Sequence, residues 1–307
     1  MYLPHIRGCL LNSLNKIILF FIVNLVLLLG TVTACLASKN PEVVVSILPQ
    51  KFFVEQISGD LINVTVMVPP GANPATYEPK PRQMTRLSRA SLYFAIGVPF
   101  ERAWLKRFKS ANPNLIIVET WRGIERYPIT YSRHLFHKTR KAVSLDPHIW
   151  LSPPLVLIQA RNILTALCAK YPKWSETFKT NFSSFAKRII QVDLSIMKIL
   201  GTEHSVSPRP FVAFHPSWGY FARAYNLRQI AIEQEGKEPK PSQLLKLIKD
   251  IKALAVKVIL IQPQFSQKSA KIIAEATGAR LVEADPLALE WDENLLNVAK
   301  GIKEGWR

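Results

Sequence analysis

Short apolar runs alternate along this chain with longer stretches in which apolar residues recur at every third or fourth position. "EVVVSIL" (42–48), "VTVMV" (64–68), "LYFAIG" (92–97) and "LIIVE" (115–119) are too short for stable helices and read as buried strands. Residues 52–58, 82–90 and 100–109 between them carry a helical pattern. Alternation of this kind predicts a parallel sheet with helices on its faces. After residue 200 the scheme repeats, with strands expected at 210–215, 228–232, 257–262 and 279–284. Leu244, Leu247, Ile248 and Ile251 mark one helix of this second half, and Ser266 and Gly278 bracket another as starting cap and stop.

A different object lies between the halves. Trp174, Phe178, Phe182, Phe185, Ile189, Val192, Ile196 and Ile199 recur in steps of three or four, with no Gly or Pro among them. At 1.5 Å per residue this stripe predicts a helix roughly 40 Å long, able to run the height of two lobes and join them. The expected fold is α/β, with two lobes, each a mostly parallel four-stranded sheet with flanking helices, joined by one long helix. The expected boundaries are 1–35 for a targeting segment, 36–171 for the first lobe, 172–200 for the linking helix and 201–307 for the second lobe.

The targeting segment rests on "IILFFIVNLVLLLG" (17–30), fourteen residues with only Asn24 polar, after a stretch holding Arg7 and Lys16 and no acid. A membrane span needs roughly 20 apolar residues, so the run fits a secretory signal. "VTAC" (32–35) follows, and small residues before a cysteine resemble a bacterial lipoprotein signal. That resemblance implies cleavage before Cys35 and acylation of its thiol and new amine; several acyl chains would anchor the protein stably. The alternative is plain secretion with an incidental cysteine. Cys9 would leave with the signal, so Cys168 stands alone, no intramolecular disulfide can form, and Cys168 reads as core.

Composition adds little until charge is considered. The 307 residues are 48% hydrophobic and 20% charged, enough apolar material for two cores. The net charge is +18, and residues 80–141 hold fourteen Lys and Arg against three acids. Such a balance suits a solvated surface or attraction to anionic partners. No zinc-finger spacing, glycine-aromatic RNA motif or basic heptad accompanies it, so nucleic acid is not the expected partner.

Candidate chemistry sits where the strands end. In open parallel sheets ligands bind at the carboxyl ends of the strands. His215 follows "FVAF", Asp285 follows "LVEA", and His148, in "SLDPHIWLS", follows the fourth strand of the first half after a basic loop. Each has an ordinary reading as well. Asp285 and Asp146 precede prolines and would serve as helix or turn caps, while a loop histidine is often bonded to its surroundings. Two imidazoles and a carboxylate converging on one cleft would suit zinc and its neighbours. His134 and His137 read as solvated.

"PGANPATYEPKP" (70–81), "DPHIWLSP" (146–153), "FHPSWGYFARAYNL" (214–227) and "EADPLA" (283–288), in this order and with the long helix, resemble the zinc and manganese solute-binding lipoproteins of bacterial ABC importers. The resemblance covers almost the whole chain after Cys35. It implies capture of a divalent metal, zinc first and manganese second, by His148, His215 and Asp285. Delivery would be to a membrane permease and its ATPase, by a monomer anchored through acylated Cys35 on the extracytoplasmic face. The family's first motif carries a histidine where this chain has Ala75; water, Gln50 or Glu78 would then stand as fourth ligand. Two other readings stay open. One is a receptor for a metal chelate or other small ligand with a degenerate metal site. The other is a zinc-dependent hydrolase, although no HExxH or G-x-S-x-G motif is present.

Overall fold

The computed structural model describes residues 40–129, 144–201, 206–233 and 237–306. The expected signal with Cys35, and the loop residues His134 and His137, lie outside the described residues. Residues 41–307 form one compact unit. Its first half holds strands β1 (Glu42–Val45), β2 (Asn63–Val66), β3 (Leu92–Ala95) and β4 (Ile116–Glu119). Its second half holds β5 (Arg209–Ala213), β6 (Leu227–Ala231), β7 (Val258–Ile261) and β8 (Arg280–Glu283). All eight expected strands form. They make two parallel four-stranded sheets of identical plan, β2-β1-β3-β4 and β6-β5-β7-β8. The central strands are closed to solvent on both faces, with Val43, Val44, Val45, Tyr93 and Phe94 at 0% exposure. That burial explains why they read as unbroken apolar runs.

The helices are α1 (Leu48–Ser58), α2 (Pro81–Leu87), α3 (Pro99–Ala111), α4 (Pro153–Lys170), α5 (Ser175–Leu200), α6 (Gly219–Ala224), α7 (Pro241–Ala253), α8 (Lys268–Thr277) and α9 (Trp291–Gly305). Pro49, Pro81, Pro99, Pro153 and Pro241 open five of them. A proline ring fixes φ near the helical value, and its missing N–H would be unpaired in the first turn anyway. This corrects the start of α1. The first strand stops at Val45 and the helix begins at Leu48, because Pro49 seeds it well before the expected residue 52.

Helix α5 is the expected rod. Its 26 residues span about 39 Å and bury Phe178, Phe185, Ile189, Val192, Ile196 and Leu200. Gly201, at φ 57°, ends it in the left-handed conformation that glycine adopts at least cost. The buried stripe packs on α4 and α1 from the first half and on α9 from the second. Phe53 of α1, Phe185 of α5 and Trp291 of α9 meet with ring centroids 5.4–5.9 Å apart. The Arg188 guanidinium on α5 pairs with Asp292 on α9. Cys168 is a free, half-buried thiol packed against this core.

Candidate metal centre

In each sheet the chain crosses from one side to the other at the central pair, β1/β3 and β5/β7. The carboxyl ends at such a crossing leave a crevice with no connection over it. Loops leaving both sets of ends line a partly open cavity of about 480 Å³. The first half contributes Asn73–Thr76 after β2, Gly97–Pro99 after β3, and His148; the second contributes His215 after β5, Glu233 after β6 and Gln264 after β7.

His148 is buried, at 8% exposure. Asp146 fixes it twice, since its Oδ1 accepts the His148 backbone N–H at 2.9 Å and faces the ring Nδ1 at 2.6 Å. With Nδ1 held by a carboxylate, Nε2 is left as the metal-capable atom, the arrangement by which proteins orient ligating imidazoles. Asp146 is itself pinned, because the Tyr220 hydroxyl donates to its carbonyl at 3.2 Å. A β-carbon on Gly219 would lie 2.9 Å from Asp146 Oδ2, so the glycine permits the start of α6 to approach this closely. Burial lowers the His148 pKa from its ordinary 6.5, against the opposing pull of the Asp146 carboxylate. The ring therefore stays neutral, the form that binds metal.

His215 has the same plan with a looser fit. Its backbone N–H donates to Gln262 Oε1 at 2.7 Å, and Phe265 stacks on its ring at 5.0 Å. Its Nδ1 lies 2.9 Å from Glu233 Oε1. The contact is close but poorly directed, for Nδ1 and both Glu233 oxygens are buried without an aligned hydrogen bond. Glu233 is only 2% exposed, so it is a buried carboxylate with spare acceptor capacity beside a candidate ligand. The two imidazoles face each other at a centroid separation of 5.1 Å.

The remaining expected ligands are placed differently. Asp285 does not line the cavity; its Oδ1 accepts the Gln264 side-chain N–H at 2.6 Å and the Leu287 backbone N–H at 2.8 Å. It caps a turn, the ordinary reading of an Asp before Pro. Gln50 is fully buried and spent in the first half, accepting from Ser46 N and donating to Phe94 O. Glu78 is exposed and also absent from the cavity wall. Ala75 does reach that wall, on a loop drawn tight by Asn73 Oδ1 accepting from its backbone N–H at 2.8 Å. Among the described residues, no three His, Cys, Asp or Glu side chains stand close enough together to hold a metal ion.

A sequence profile described as "zinc-uptake complex component A, periplasmic" matches residues 43–298. The chain belongs to that family. It is 28% identical over 260 residues to the iron-binding protein YfeA of Yersinia pestis, covering 81% of this chain and 80% of that one. It is 25% identical over 246 residues to the high-affinity zinc uptake system protein ZnuA of Bacillus subtilis strain 168, covering 78% and 76%. A crystal structure of ZnuA superposes with TM-score 0.78 at 39% identity over 87% of this chain and 99% of that one. A deletion mutant of ZnuA with zinc bound superposes with TM-score 0.77 at 40% identity, over 86% and 97%. The zinc-uptake family consists of solute-binding components of metal importers. Its frame, two parallel sheets joined by a long helix, is the one described above. Glu233 is the residue that the reading of the sequence missed, although it lies two positions beyond β6 as His215 lies two beyond β5.

Proposed function

We propose that this chain captures a divalent transition metal in the cavity between the two sheets and hands it to a membrane permease driven by its ATPase. The observation that carries this reading is the pair of facing imidazoles, each with a carboxylate at Nδ1, at the carboxyl ends of two sheets. Imidazole nitrogen donors suit zinc first, and manganese or iron among its neighbours. Family membership and the zinc-bound ZnuA relative support zinc, while YfeA shows that related chains carry other metal names. His148 and His215 are the donors. Asp285, the third donor expected from the sequence, holds Gln264 and Leu287 through Oδ1 and would join them only if its loop turned toward the cavity. The functional division is 36–171 and 201–307 on either side of the helix 172–200. Acylated Cys35 holds the protein, as a monomer, at the extracytoplasmic face of the membrane. The role is capture and delivery rather than catalysis. Calorimetric titration of chelator-stripped protein with zinc, manganese and iron(II) tests it. Saturable one-to-one binding lost in His148→Ala supports the reading, and no saturable binding at neutral pH ends it.

A further inference from the structure

We propose that the cavity takes its metal together with a small, partly apolar carboxylate chelator that supplies donors beyond His148 and His215. This rests on the metal-capture reading above and names its cargo more narrowly. The first reason is room. A cavity of about 480 Å³ falls in the range of pockets for small organic molecules. The second reason is the donor count. Zinc takes four ligands, and among the described residues no three His, Cys, Asp or Glu side chains come together to hold it; His148 and His215 each bring a ring nitrogen to the cavity, while Glu233 lies against the Nδ1 of His215. A chelator offering two donor atoms completes the set.

The wall matches such a molecule. Val98, Leu145 and Leu287 offer apolar surface that a hydrated ion would not use. The Arg102 side chain is exposed at the same cavity and, among the described residues, makes one long contact, 3.4 Å, to Ser144 Oγ, a geometry that lets its other N–H groups meet a carboxylate. Across the cavity Gln264 Oε1 is buried with no hydrogen-bond partner, an acceptor waiting for an N–H. An α-amino acid with a second nitrogen donor fits all three features. Its amine and side-chain nitrogen would bind the metal, its carboxylate would meet Arg102, and a remaining N–H would reach Gln264. The space in front of the Ala75 methyl accepts its side chain.

Metal-stripped full-length protein would be titrated with zinc alone, with equimolar zinc and L-histidine, and with L-histidine alone. After desalting, zinc and isotope-labelled histidine would be counted. The expected result is binding at least tenfold tighter from the mixture than from zinc alone, with one histidine retained per zinc and none retained without metal. Arg102→Ala should lose the retained histidine. Ala75→His, which adds a protein imidazole and fills the space, should bind zinc alone more tightly than the wild type and no longer retain histidine. Equal affinity with and without histidine, and zinc retained without it, would overturn the proposal while leaving metal capture intact. Zinc bound in no arm would remove both.

Discussion

The indole N–H of Trp291 donates to the main-chain carbonyl of Trp150 at 2.6 Å, and the Trp150 indole in turn donates to the carbonyl of Pro286 at 2.7 Å. Both rings are about 1% exposed. Trp150 lies two residues after His148 and Pro286 directly after Asp285, so the two halves are stitched together beside the cavity. Trp291→Phe keeps most of the packing but leaves the buried Trp150 carbonyl unpaired, a cost of about 1–3 kcal/mol. The expected outcome is a lower melting temperature together with weaker metal binding, measured by calorimetry on the same sample.

His148→Ala and His215→Ala should each weaken metal binding by more than the ~10–100-fold typical of losing an outer hydrogen-bond partner. Asp285→Asn keeps an acceptor for Gln264 and Leu287 and should change affinity by less than tenfold. A loss from Asp285→Asn equal to that of the histidine variants would place its carboxylate on the ion. Competition against a fluorescent chelator would rank the three.

The partners at Nδ1 give a separate test. Asp146→Ala should weaken metal binding by ~10–100-fold while far-ultraviolet circular dichroism stays unchanged. Gly219→Ala should act in the same direction, because the new methyl would stand 2.9 Å from Asp146 Oδ2 and displace the carboxylate.

The pH dependence has two parts of opposite sign. Burial holds the His148 pKa below 6.5, so protons compete for its nitrogen only at lower pH. Its contribution to metal affinity should be flat from pH 8 to about 6.5 and decline below that. The metal-free protein should lose stability over the same acidic range, because the unfolded chain takes up the proton more readily. Equilibrium dialysis across pH 5–8 would follow the affinity.

Glu101 works the other way. Its carboxylate is buried under the cavity wall, accepting from Ser46 Oγ and from the backbone N–H groups of Ile96 and Gly97. Burial pushes its pKa up from 4.5 to about 7, with those hydrogen bonds and Arg126 opposing. Below 4.5 it is protonated folded and unfolded alike; as pH rises toward 7 the unfolded chain ionises first, and stability of about 3 kcal/mol is lost. Glu101→Gln should therefore show a flatter dependence of melting temperature on pH between 5 and 8 than the wild type.

The frame was legible because its signals are local. Apolar runs such as "VVV" (43–45) and "VIL" (258–260) are fully buried in parallel sheets, and the eight-position stripe from Trp174 to Ile199 has only one helical solution. Helix α9 was equally available, since Leu295, Val298, Ala299 and Ile302 repeat at helical spacing and are all at 0% exposure. The site was legible in part. His148 and His215, singled out from their place after strands, do meet on the cavity wall, and the same rule applied to β6 would have singled out Glu233. Asp285 obeyed that rule too, yet its carboxylate is taken up by Gln264. Which neighbour claims a carboxylate depends on side chains from another strand's loop, and no spacing along the chain records that. Gln50 failed for the same reason, with its amide spent on Ser46 and Phe94.

One more property follows from the ring of Trp150, whose centroid lies 5.1 Å from that of His148. An ion that settles on the neutral imidazole brings a net charge close to that indole and changes the field its excited state feels. Arrival and departure of cargo would then be written into the protein's own ultraviolet emission, without a dye or a label.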